Sequence, residues 1–89
     1  MSRISFDATY GDKSVQITAG WDNPLQYFFM TIFGPDEDEI VWDELSNFDF
    51  SELRTAKPLV NQLQLMGITA PPGFWEKVEL REGNIVERW

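Results

Sequence analysis

The side chains best placed by type and spacing to do chemistry in this sequence are carboxylates. Asp36, Glu37, Asp38 and Glu39 are consecutive, and Asp43 and Glu44 follow closely. A hard divalent cation is the ligand such a run suggests, since Ca²⁺ gathers about six to eight oxygen ligands. The spacing speaks against it. A Ca²⁺ loop sets its acids at alternate positions, followed by a glycine and a distant glutamate. Four consecutive acids at a turn point in different directions, so the run reads as a solvated surface turn. No metal site and no cofactor are expected. Paired carboxylates also act as acid and base in glycoside hydrolysis, where both must flank a cleft. An 89-residue chain offers little cleft in which to desolvate them.

Nucleophilic chemistry lacks its parts. The sequence holds no His and no Cys, which removes the usual general base, the thiolate nucleophile and the commonest metal ligands. Ser14, Ser46 and Ser51 have no imidazole to activate them. Lys13, Lys57 and Lys77 sit among polar neighbours, so none is desolvated by its local sequence. There is no nucleophile elbow, P-loop or dinucleotide fingerprint. No catalytic residue is expected, and the chain reads as a non-enzyme.

The aromatic residues are the second candidate set. Trp21, Tyr27, Trp42, Trp75 and Trp89 could form a stacking platform for bases or sugars. Proteins that bind single strands pair such a platform with a basic groove. Here the charge runs the other way. Ser14 to Leu53 contains nine acids and no base, and the whole chain carries a net charge of −8. A field of that sign repels nucleic acid and anionic membrane and attracts basic proteins. Most of these rings belong to the core. Trp89, the last residue, is either tied into the sheet or exposed as a binding anchor.

The elements that must position these residues are legible from periodicity. Arg3 to Tyr10 alternates, with Ile4, Phe6, Ala8 and Tyr10 on one face, as a half-buried strand does. Gly11-Asp12-Lys13 is a tight connection. Ser14 to Trp21 alternates again, completing a hairpin. After a turn at Asp22-Asn23-Pro24, Leu25 to Phe33 is apolar on both faces and rich in aromatic and β-branched residues. It predicts a mid-sheet strand covered on both sides. Ile40 to Leu45 predicts a fourth strand. The segment 46–54 reads as a connection whose Phe48 and Phe50 tuck under the sheet.

From Thr55 the period becomes helical. Thr55 is the expected N-cap, Pro58 falls in the first turn, and Leu59, Val60, Leu63 and Met66 recur at helical spacing. Gly67 and Ile68 form the expected C-terminal cap. Leu65 lies off the main apolar stripe, with the Phe48 and Phe50 segment expected to cover it. A second helix is expected over 72–82, in preference to a hairpin across Glu82-Gly83-Asn84, and 85–89 is short enough for a terminal strand.

The fold class expected is α+β: a single domain over 1–89, an antiparallel four-stranded meander over about 3–45, then helices over about 55–67 and 72–82 packed on the sheet. The N-terminal residues form no apolar leader, and no stretch approaches the roughly 18–20 apolar residues of a membrane span. A cytoplasmic location is expected. The function these features support is a small acidic, non-enzymatic protein-binding or regulatory domain acting on a basic partner, with neither nucleic acid nor membrane as its target. The expected partner-binding residues are Asp36, Glu37, Asp38, Glu39, Trp42, Asp43, Glu44 and Trp89. Two other classes stay open: homo-oligomerisation through an edge strand or the Leu65 face, and small-ligand or cation binding in a pocket between sheet and helix.

Overall fold

Alternating apolar residues pair across the first two strands in the register their pattern demands. In the computed structural model, which describes residues 1–36 and 39–89, β1 (Arg3–Tyr10) and β2 (Lys13–Asp22) form an antiparallel hairpin. Ile4 lies opposite Ala19, Phe6 opposite Ile17 and Ala8 opposite Val15, so one face collects the apolar set. β3 (Tyr27–Phe33) continues the meander, with Ile17 opposite Ile32, Ala19 opposite Met30 and Trp21 opposite Phe28. β4 (Ile40–Asp43) pairs with β3 through an irregularity between Ile32 and Phe33. β5 (Val86–Arg88) adds to the far edge, parallel to β1, to give the order β4-β3-β2-β1-β5.

Two helices cover the apolar face. α1 (Lys57–Leu65) contributes Leu59 and Leu63, and α2 (Phe74–Glu79) contributes Phe74 and Val78. All four join Ile4, Phe6, Ile17, Phe28, Met30 and Ile32 in one buried cluster. Phe74 meets Phe6 edge-on at 4.7 Å between ring centroids, a favoured aromatic geometry. Among the described residues, no helix is long and apolar enough to cross a membrane.

The helix ends show where local chemistry decides. At the C-terminus of α1, the Ile68 N–H donates to the Leu63 carbonyl (2.9 Å) and the Gly67 N–H to that of Gln64 (3.1 Å). Gly67 has φ +73°. This is the paired bonding of a Schellman cap, with Ile68 buried beneath it. The N-terminus departs from expectation. Thr55 is extended and exposed, and the cap position falls to Ala56, which makes no side-chain bond but is itself packed in the core. α2 likewise begins at Phe74 rather than Pro72, because Gly73 takes the left-handed conformation (φ +84°) and breaks the helical run.

Three further expectations are corrected. β4 stops at Asp43, not Leu45, because the Asp43 carboxylate accepts the Ser46 N–H (2.8 Å) and turns the chain. Of the two phenylalanines in 46–54, Phe48 packs against Trp42, but Phe50 is 53 % exposed and only its ring edge meets Tyr27. The buried residue of that segment is Leu53, in a short 3-10 turn (Glu52–Arg54). Leu65 is not covered at all; it is 83 % exposed.

One glycine is required by close approach. A Cβ on Gly20 would overlap the Ser2 carbonyl and come within 2.9 Å of Phe29 Cζ. The Phe29 ring therefore lies over Gly20, while Ser2 is held by its N–H to the Trp21 carbonyl (3.0 Å) and by its Oγ accepting the Trp21 N–H (2.9 Å). Gly20→Ala must move backbone, and overpacking of this kind costs about 1–3 kcal/mol. Urea denaturation should show that loss at unchanged m-value; a Gly20→Ala variant as stable as the parent would contradict this packing.

Candidate functional site

The four-stranded register places the remaining sheet residues on a second face that no helix of the described residues covers. Three rows cross it. Gly20 lies opposite Phe29; Ser5 opposite Thr18, Thr18 opposite Thr31 and Thr31 opposite Asp43; and Asp7 opposite Gln16, Gln16 opposite Phe33 and Phe33 opposite Ile40. The middle row is small and hydroxylic, and the Ser5 and Thr18 hydroxyls are joined at 2.9 Å. The Phe29 and Phe33 rings flank it. The result is a groove of ≈ 380 Å³, bounded by Arg3 and Met1 at the β1 side and by Tyr27 and Glu44 at the β3–β4 side.

Glu44 is the feature with chemical consequence. It is 5 % exposed. Its backbone N–H donates to the Met30 carbonyl (3.2 Å), and the Met30 N–H donates back to its Oε2 (3.3 Å). Its own carbonyl accepts the N–H groups of Asn47 and Phe48. The residue is thus pinned at both ends. Among the described residues its carboxylate has no ion-pair partner. Burial pushes the Glu44 carboxyl above the usual glutamate range and the neighbouring Asp43 charge adds to this, against the opposing pull of the backbone N–H groups and the Tyr27 hydroxyl. Tyr27 is raised too, first by its own burial and then by the Glu44 and Asp22 charges.

The strand order converts a feature of the sequence into a spatial one. The base-free stretch forms nearly all of β2 and the whole of β3 and β4, which are neighbours. On the groove face the cations stand at the sheet's other side, Arg3 on β1 and Arg88 on β5, paired with Asp7 at 2.7 Å, whereas Arg81 lies over Trp21 and Phe28 on the helix-covered face. Lys13 opens β2 and is engaged with Glu39 at 2.9 Å. That contact is the first cause of the raised Lys13 ammonium and the lowered Glu39 carboxyl. The sheet is electrically polarised across its width.

The expected partner-binding residues are scattered over this frame. Asp43 and Glu44 reach the groove side. Asp36 is exposed at the turn and Glu39 is tied to Lys13. Glu37 and Asp38 lie outside the described residues. Trp42 points to the core side, against Phe48. Trp89 sits at the opposite edge: its N–H bonds the Ser5 carbonyl (2.6 Å), and its indole packs on Phe74 while donating to Glu87 (2.9 Å). It is tied in, yet 41 % exposed. Sequence reasoning missed Phe29 and Phe33. The available signal was β3 itself, apolar on both faces while only one face could be covered.

Two other depressions lie elsewhere. One (≈ 460 Å³) separates the end of α1 from the chain entering α2, beside Ile68 and Trp75. The other (≈ 470 Å³) runs along the outer side of α1, between Phe48, Pro58 and Leu65. Among the described residues no three Asp or Glu converge as a metal site would need.

Comparison with protein-family models, with curated proteins and with solved structures finds no match.

The Glu44 pKa carries a sign. A carboxyl raised in the folded state contributes full stability below the ordinary glutamate range, and loses it as pH rises through the raised folded value. Glu44→Gln keeps an acceptor for Met30 and removes the charge. The variant should melt higher than the parent at pH 7, by on the order of 1 kcal/mol or about 4–8 °C in a domain of this size. The difference should fade as pH drops below the usual glutamate range. Equal melting curves at pH 7 and pH 3.5 would show that Glu44 is not penalised by burial.

Proposed function

We propose that this is a non-enzymatic protein-binding domain whose uncovered sheet face docks a basic partner. The observation that carries the reading is the pairing of an aromatic-walled groove with the base-free β2–β3–β4 side of the sheet. Charge of one sign speeds encounter, and rings in a concave face supply affinity once water is displaced. Hydroxyls on the groove floor keep the face wet in the free protein and can bond a partner's backbone. Asp43 and Glu44 belong to this surface; Trp89 does not share it. A cytoplasmic setting, where basic protein partners are abundant, is part of the same proposal, as is the absence of nucleic-acid and membrane binding.

A second reading has one observation in its favour. Leu65 is 83 % exposed beside Phe48 and Pro58, and such a patch can join two copies of a chain.

Capture from native lysate at low salt, followed by elution in a salt gradient, separates the two. Retention of a basic protein should fall steeply with salt, and Phe33→Ser should reduce it about tenfold or more while Leu65→Gln leaves it unchanged. A partner held equally by Phe33→Ser, or equally well at high salt, would sink the docking-face reading. Dimerisation in sedimentation that Leu65→Gln abolishes would establish the second.

A further inference from the structure

We propose that the Glu44 end of the groove is a socket for one arginine side chain of the partner, its guanidinium meeting the Glu44 carboxylate and its stem lying along Tyr27 and Phe29. This rests on the docking-face reading and supplies its anchor. Three observations converge on it.

The first is uncompensated charge. An ionised carboxylate 5 % exposed, with no cation paired to it among the described residues, is costly to keep. An incoming cation therefore gains more at Glu44 than at the exposed acid Asp36, where water screens the interaction. The nearest cation lining the same groove is Arg3, which lies on β1. Three strand spacings, about 14 Å, separate β1 from β4. Arg3 forms no ion pair with Glu44.

The second is the lining. Tyr27 and Phe29 stand next to Glu44 in the same groove. Ring faces attract guanidinium groups, and an arginine stem buries well along apolar surface. Arginine suits this site better than lysine. Its planar head is more weakly hydrated, stacks on rings and meets a carboxylate through two N–H groups.

The third is a working example within the same chain. On the opposite side of the sheet, the Arg81 guanidinium lies 4.5 Å from the ring centroid of Trp21 and 5.3 Å from that of Phe28. At Glu44 a different pair of rings, Tyr27 and Phe29, lines the groove together with a carboxylate.

The test uses the intact protein and two small probes, N-acetyl-arginine amide and its neutral analogue N-acetyl-citrulline amide, followed by amide NMR. The Met30 N–H is bonded to Glu44 and reports directly on that carboxylate. Its resonance should move saturably with the arginine probe and not with the citrulline probe. A short peptide of arginines alternating with Gly-Ser should bind the parent about tenfold more tightly than it binds Glu44→Gln. Equal Met30 shifts with both probes would overturn the socket without recourse to any variant. If the peptide perturbs Phe29, Thr31 and Phe33 equally in the parent and in Glu44→Gln, the socket fails and the docking face stands. If the peptide perturbs none of that face, both fail.

Discussion

The sheet has two faces and the chain has helices enough for one. α1 spans nine residues and α2 six, and both are spent on the side holding Ile4, Phe6, Ile17 and Met30. The character of the groove face follows from that. The residues alternating with the core set must tolerate water, so β1 and β2 carry Ser5, Asp7, Gln16 and Thr18 there. β3 does not fully comply. It sits between β2 and β4, where aromatic and β-branched residues pack best against cross-strand neighbours, and its second face keeps Tyr27, Phe29 and Phe33. Tyr27 is buried all the same, while the Phe29 and Phe33 rings stay partly exposed. Phe29 lies across Gly20, and the hydroxyl row between the rings becomes the floor of a groove.

Charge is organised by the same topology. In a meander, sequence neighbours become spatial neighbours, so a base-free stretch of sequence becomes a base-free side of a sheet. Such a surface would orient an approaching cationic body, with its positive side toward β3 and β4 and away from Arg3 and Arg88. Glu44 adds a different kind of charge, fixed by backbone bonds at the rim and largely withdrawn from solvent. Asp36 at the turn is held in water and costs little; Glu44 is held out of it.

The alternation of Arg3–Tyr10 and Ser14–Trp21 was enough to read the first hairpin, and the helical recurrence of Leu59, Leu63 and Met66 with Gly67 behind it was enough for α1 and its cap. Those signals are local, so the α+β class and the four-stranded meander follow from sequence. What escaped depends on contacts between distant segments. Trp42 and Glu44 are two residues apart, yet one supports the core and the other rims the groove, because the chain leaves the strand between them. Thr55 has the right chemistry for a cap and loses the position to Ala56, whose burial sets the helix against the sheet. The β3 pattern was correctly read as a mid-sheet strand and wrongly as one covered on both sides. Doubly apolar strands imply a second layer only when the chain has material to build one. The parallel placement of β5 beside β1 has no local signature at all.

That last pairing joins nearly opposite ends of the described chain. The hairpins close over short turns, at small entropic cost, whereas Val86–Arg88 must find Arg3–Ser5 across almost everything between. Long closures of this kind delay the contacts they make. Pairing β5 with β1 therefore carries the largest loop-closure entropy of the sheet's pairings. β5 is held by three residues of ladder, the Trp89 N–H, the indole against Phe74, and the ion pairs of Arg88 with Asp7 and of Glu87 with Lys77. It is also the shortest strand of the sheet, three residues against four for β4. Its loss would free the β1 edge, take the indole from Phe74 and release Asp7 from Arg88, and it would remove the ladder partners of Arg3 and Ser5, which line the β1 side of the groove.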